Sequence, residues 1–118
     1  MSFSPRLALL VFLGGALGTL ARFELDVLLD FGPLLFVVNI LGSFVLGAVS
    51  ADSKGNNESR AFFGIGFAGG FTTMSGVSLL LLVAGDVLPM MSVYMFVMFG
   101  LALLAYYTGL RMMSRGEK

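Results

Sequence analysis

The chain has 118 residues, which allows one domain. Hydrophobic residues make up 58% and charged residues 12%, about half the charged share of a soluble domain. That balance excludes an ordinary water-soluble fold, a disordered chain and a nucleic-acid binder. The absence of cysteine excludes disulfides and thiolate metal sites, and the absence of histidine excludes imidazole ligands and His acid/base catalysis.

Seven basic and seven acidic residues cancel, so their placement carries the information. Arg6 stands near the start. Arg22, Glu24, Asp26 and Asp30 form one cluster, and Asp52, Lys54, Glu58 and Arg60 another. Asp86 is alone; Arg111, Arg115, Glu117 and Lys118 close the chain. Between them lie charge-free stretches at 7–21, 31–51, 61–85 and 87–110. A spanning helix needs roughly 20 apolar residues. The last three qualify directly, and the first does so if its helix runs through Arg22. The pattern predicts an all-α membrane protein in which residues 1–118 form one four-helix domain, with spans near 5–24, 33–51, 61–85 and 87–110. A signal-peptide reading of 7–13 behind Arg6 is disfavoured, because the rest of the chain is also membrane-type. Gly55-Asn56-Asn57 reads as a turn.

In the first span Gly14 and Gly18 are one turn apart and suit close helix packing in lipid. Arg22 at its end should face protein or an aqueous vestibule. The second span starts at Gly32-Pro33 and carries Asn39, with Ser43 one turn on and Ser50 near that line. Lipid satisfies none of an amide's donors or acceptor. Asn39 therefore either bonds a neighbouring helix or turns its donors to an anion path.

In the third span four glycines, Gly64, Gly66, Gly69 and Gly70, precede four hydroxyls, Thr72, Thr73, Ser75 and Ser78. Paired glycines weaken a helix. The expectation is a break at mid-membrane, with carbonyl ends suited to a small cation such as Na⁺ and N–H ends suited to an anion. Thr72, Thr73 and Ser75 would cap the restarting helix. The alternative is a continuous packing helix with its hydroxyls bonded to i−4 carbonyls. The fourth span is rich in methionine and aromatics, Met90, Met91, Met95, Phe96, Met98 and Phe99, which read as lipid-facing or packing residues. Tyr106 and Tyr107 read as interface anchors.

Lys and Arg residues set orientation. Arg6, Lys54, Arg60, Arg111, Arg115 and Lys118 share the side of the termini, against Arg22 alone on the other. Both termini are expected in the cytoplasm, in the cell membrane, in one fixed orientation.

Three segments carry a resemblance. Residues 14–23 read Gly-Gly-Ala-Leu-Gly-Thr-Leu-Ala-Arg-Phe, 38–44 Val-Asn-Ile-Leu-Gly-Ser-Phe, and 66–75 Gly-Phe-Ala-Gly-Gly-Phe-Thr-Thr-Met-Ser. In a four-span chain these resemble the motifs of the CrcB/Fluc family of fluoride channels. The resemblance implies an antiparallel, dual-topology-type dimer with two narrow pores, passive fluoride efflux and a central Na⁺ that is structural and not transported. By matched positions the backbone carbonyls of Gly69 and Thr72 would bind Na⁺. Asn39, with Ser43, Thr73 and Ser75, would serve the anion pathway, and Arg22 maps to the family arginine. The pattern is broken at Met74 and Val77, where the family carries pore phenylalanines.

The resemblance also permits paired-gene members. The six-to-one Lys/Arg bias and the missing phenylalanines favour a heterodimer with a paralogous four-helix subunit over a self-dimer. A non-conducting scaffold subunit is the alternative function. A small multidrug transporter is disfavoured because the charge-free stretches lack a carboxylate, and an enzyme because no nucleophile–base pair is evident.

Overall fold

The computed structural model describes residues 4–51 and 57–116. Asp52, Lys54, Glu117 and Lys118 lie outside the described residues, as does the Gly55-Asn56 part of the expected turn. Four helical spans are long and apolar enough to cross a membrane: Pro5–Leu28, Phe31–Ser50, Asn57–Leu82 and Gly85–Gly116.

α1, Pro5–Leu28, starts with proline in its first turn, where the missing N–H costs nothing. It continues four residues past the expected end at 24. Glu24 and Asp26 are exposed on it, so neither carboxylate has to leave solvent for the helix to go on. α2, Phe31–Ser50, follows after a two-residue link.

The third span has two parts. α3 consists of Asn57–Ser59, a π-helical stretch Arg60–Ala68 and Gly69–Phe71. α4 is Met74–Leu82. Between them Thr72 (φ −81°, ψ 158°) and Thr73 (φ −146°, ψ 116°) are extended. Gly69 and Gly70 are themselves helical, so the chain leaves helical geometry two residues after the glycine pair. The threonines are stiff, β-branched, and able to bond the backbone through their hydroxyls, which suits them to that position.

The third span ends at Leu82, and Gly85 makes the following turn at φ +56°, a conformation that favours glycine. After the 3₁₀ turn Gly85–Val87, α5 runs over Leu88–Gly116, past the expected end at 110. Arginine is a good helix former and suits a helix C-terminus, so Arg111 and Arg115 extend the helix.

Packing joins α1 to α3 and α2 to α5. Both contacts are backbone-close. A Cβ on Gly18 would meet the Phe67 carbonyl, and one on Gly47 the Tyr106 carbonyl. The buried core is small. Leu34, Val38 and Phe71 form one cluster, and Leu35, Val77 and Met98 another. Large apolar side chains such as Phe12, Leu82 and Phe96 are at least 70% exposed. That surface suits lipid or another apolar chain as its surroundings, and the molecule is a multi-pass membrane protein. Arg6 at the start of α1 pairs with Glu58 at the start of α3 at 3.0 Å, which places those two helix ends on one side.

Candidate functional site at the helix break

Leaving helical geometry strands backbone groups that hydrocarbon cannot satisfy, at several kcal/mol each. The break is therefore best described by where those groups go. In a continuous helix the Thr73 N–H would bond the Gly69 carbonyl. Here it donates to Asn39 Oδ1 at 2.9 Å. Asn39 Nδ2 in turn donates to the Thr73 carbonyl at 3.3 Å. The amide of α2 thus pairs with both polar groups of one extended residue. A second contact of Nδ2 reaches Met98 Sδ at 3.6 Å.

Thr72 is tied three ways. Its N–H and its hydroxyl both donate to the Ala68 carbonyl, at 3.0 and 2.9 Å, which closes the end of α3. Its carbonyl accepts from Arg22 Nη1 at 3.2 Å. Arg22 is half-buried against protein rather than set in lipid. Thr73 Oγ1 accepts from the Gly76 N–H at 3.1 Å and caps α4. Ser75 Oγ lies 3.1 Å from that same oxygen. Of the three hydroxyl residues expected to cap the restarting helix, Thr73 makes the cap, Ser75 bonds to it, and Thr72 serves the helix before.

Two clefts approach the break. One, of about 450 Å³, is lined by Thr19, Arg22, Asp26, Thr73 and Ser75 among others. The other, of about 440 Å³, is lined by Asn39, Ser43, Gly69, Thr72 and Met74 among others. The sequence-predicted anion residues are divided between them: Thr73 and Ser75 in the first, Asn39 and Ser43 in the second. The Asn39–Thr73 pair joins the two groups. Gly69 is exposed, with open space where a Cβ would stand. Its carbonyl does not receive the Thr73 N–H, which donates to Asn39 instead.

The two positions that depart from the aromatic pattern differ in setting. Met74 is 59% exposed beside the break, whereas Val77 is 1% exposed and packed into the core with Leu35 and Met98. Sequence reasoning missed the Met98 contact, because a methionine in an apolar span signals only packing. It also missed the Arg22 bond to the Thr72 carbonyl, which joins residues 50 positions apart.

The family described as CrcB-like protein, Camphor Resistance (CrcB), matches residues 9–110. "Fluoride-specific ion channel FluC 1" of Leifsonia xyli is 43% identical over 84 residues, covering 64% of this chain and 61% of that protein. "Fluoride-specific ion channel FluC" of Thermus thermophilus is 42% identical over 91 residues, covering 67% of this chain and 73% of that protein. A second Leifsonia xyli protein, "Fluoride-specific ion channel FluC 2", is 42% identical over 81 residues, covering 59% of this chain and 56% of that protein. The matches to the two Leifsonia proteins thus span less than two thirds of each relative's length. No solved structure matches the chain. The family match begins inside α1, passes through the break and ends inside α5, so every element that builds the site lies within it: the chain belongs to the CrcB-like protein family.

Proposed function

We propose that this chain is a subunit of a fluoride-specific channel that lets fluoride leave the cell passively and so lowers cytoplasmic fluoride. The observation that carries this reading is the Asn39–Thr73 pair at the junction of the two clefts. Fluoride is small and strongly hydrated, so it enters a pore only where donors replace its water. Amide and hydroxyl groups supply donors without a fixed charge that would trap the ion. Asn39 and Ser43 offer them in one cleft, and Thr73 and Ser75 in the other. Relatives named as fluoride-specific channels support the choice of anion.

The reading includes a structural Na⁺ held by the backbone carbonyls of Gly69 and Thr72 and their partner counterparts. Among the described residues no cluster of carboxylates could hold a metal, so neutral carbonyls are the available oxygens. They fit a hard monovalent cation. Gly69 presents a carbonyl that has lost its helical donor, and Thr72 keeps a second lone pair beside the Arg22 bond. Bound there, Na⁺ would supply positive charge that ties two copies of the break together. Because Arg22 shares the Thr72 oxygen, the Gly69 carbonyl is the less encumbered of the two.

The assembly we propose is an antiparallel dimer, with both termini of this chain in the cytoplasm and a paralogous four-helix subunit inserted the other way. The Lys/Arg bias supports it, and so does the occurrence of two related channel proteins in Leifsonia xyli. A second reading, a non-conducting scaffold subunit, is favoured by one observation. Val77 is packed into this protomer's own core, so the partner would have to supply an aromatic pore wall. The test is growth of a fluoride-sensitive bacterium lacking its own exporters. Co-expression of this chain and its paralogue should restore growth on fluoride, and Asn39→Asp in this chain should reduce it. Full resistance with the variant would favour the scaffold reading.

A further inference from the structure

Met98 of α5 is fully buried, packed with Leu35 and Val77, and its sulfur lies 3.6 Å from Asn39 Nδ2. The same nitrogen donates to the Thr73 carbonyl, while Asn39 Oδ1 accepts the Thr73 N–H. A primary amide carries two hydrogens. One is committed to Thr73 and helps hold the break. The other faces a thioether, which accepts weakly and has no hydrogen to donate. An oxygen at that place would hold the second hydrogen firmly. A methylene would leave it orphaned. Asn39 also lines the cleft that contains Ser43 and Thr72, and giving this second hydrogen to an anion would leave both bonds to Thr73 in place.

We propose that Met98 is a positioning residue for the anion path: its sulfur holds the second Asn39 amide hydrogen loosely and yields it to a small, hard anion in the Ser43 cleft. The inference rests on the reading of Asn39 as an anion donor. It adds what sets the strength of that donor.

The test compares Met98→Leu and Met98→Gln in the complete reconstituted channel, reading the fluoride concentration that gives half-maximal flux. Leucine keeps most of the volume and removes the acceptor. Glutamine keeps the length and adds a strong one. Half-saturating fluoride should fall about threefold for Met98→Leu and rise about tenfold for Met98→Gln. Core damage alone would move both variants the same way. A second readout is the side-chain amide spectrum of a channel in which this chain alone carries ¹⁵N-asparagine; it has only Asn39, Asn56 and Asn57 to assign. One Asn39 amide proton should shift with fluoride, and at lower fluoride in Met98→Leu. If Met98→Gln does not assemble, Met98→Leu decides, and an unchanged half-saturation with an unchanged amide titration overturns the inference. If Asn39→Asp stops flux while both Met98 variants shift together or by less than about twofold, only the role of Met98 is wrong. Undiminished flux in Asn39→Asp removes the reading beneath it.

Discussion

Asn39 and Thr73 are bonded in both directions, amide oxygen to backbone N–H at 2.9 Å and amide nitrogen to backbone carbonyl at 3.3 Å. A side chain on α2 therefore replaces the helical partners that Thr73 gives up. The break is not a flaw left open in the third span. It is a polar junction whose groups are assigned to named residues, with Arg22 on the Thr72 carbonyl and the Thr73 hydroxyl on the first turn of α4.

The packing that holds this junction depends on close backbone approach. Gly18→Ala should destabilise the protein by about 1–3 kcal/mol or prevent assembly, since its Cβ would meet the backbone of Phe67 and Phe71. Gly100→Ala has open space and should be neutral or slightly stabilising. Retention of the folded species in a detergent-denaturation series checks the pair.

Met74 and Val77 should respond differently to restored aromatic character. Met74→Phe adds a ring at an exposed position beside the break and should leave the fold intact. Val77→Phe forces a ring into the cluster with Leu35 and Met98 and should cost about 1–3 kcal/mol. Thermal melting of the two purified variants separates them.

Removing Na⁺ should weaken the assembled channel. Exchange into a large organic cation is expected to lower dimer stability and fluoride flux together, with recovery when Na⁺ is restored. Side-chain changes at Thr72 should matter less to the ion, because a carbonyl survives them. Sedimentation and flux in the two salts provide the measurement.

Much of this architecture was legible in the sequence. The spacing of charges located four spans because lipid excludes charge over a length fixed by the bilayer. The helix ends were less legible, since exposed Glu24, Asp26, Arg111 and Arg115 let α1 and α5 run on at no desolvation cost. Asn39 stood out because an amide in an apolar span must find a partner, but nothing in the local pattern marks Thr73 as that partner. The glycine pair pointed to the right region and the wrong residues. Where the chain leaves helical geometry depends on which N–H a neighbouring helix can accept, and that is set by α2. Arg22 on Thr72 and Met98 on Asn39 are contacts between distant segments, with no local pattern to mark them.

Topology offers an independent check, made simple by the absence of cysteine. A single cysteine introduced at Ser4 or at Ser114 should react only with reagent that reaches the cytoplasmic face. When the chain is expressed alone it should give little fluoride efflux, with efflux appearing on co-expression with the paralogue. Robust efflux from the chain alone, with both faces labelled, would establish a dual-topology self-dimer instead.

Passage of fluoride through the junction that Asn39 and Thr73 make is tested by ion efflux from liposomes containing the channel purified with this chain, in Na⁺, with any independent second pore blocked. Fluoride should drain while chloride is retained, and Asn39→Asp, folded and assembled, should abolish the fluoride flux through the pore it lines. Absence of fluoride efflux from this chain alone and from the co-expressed complex, or undiminished efflux with Asn39→Asp, would contradict it.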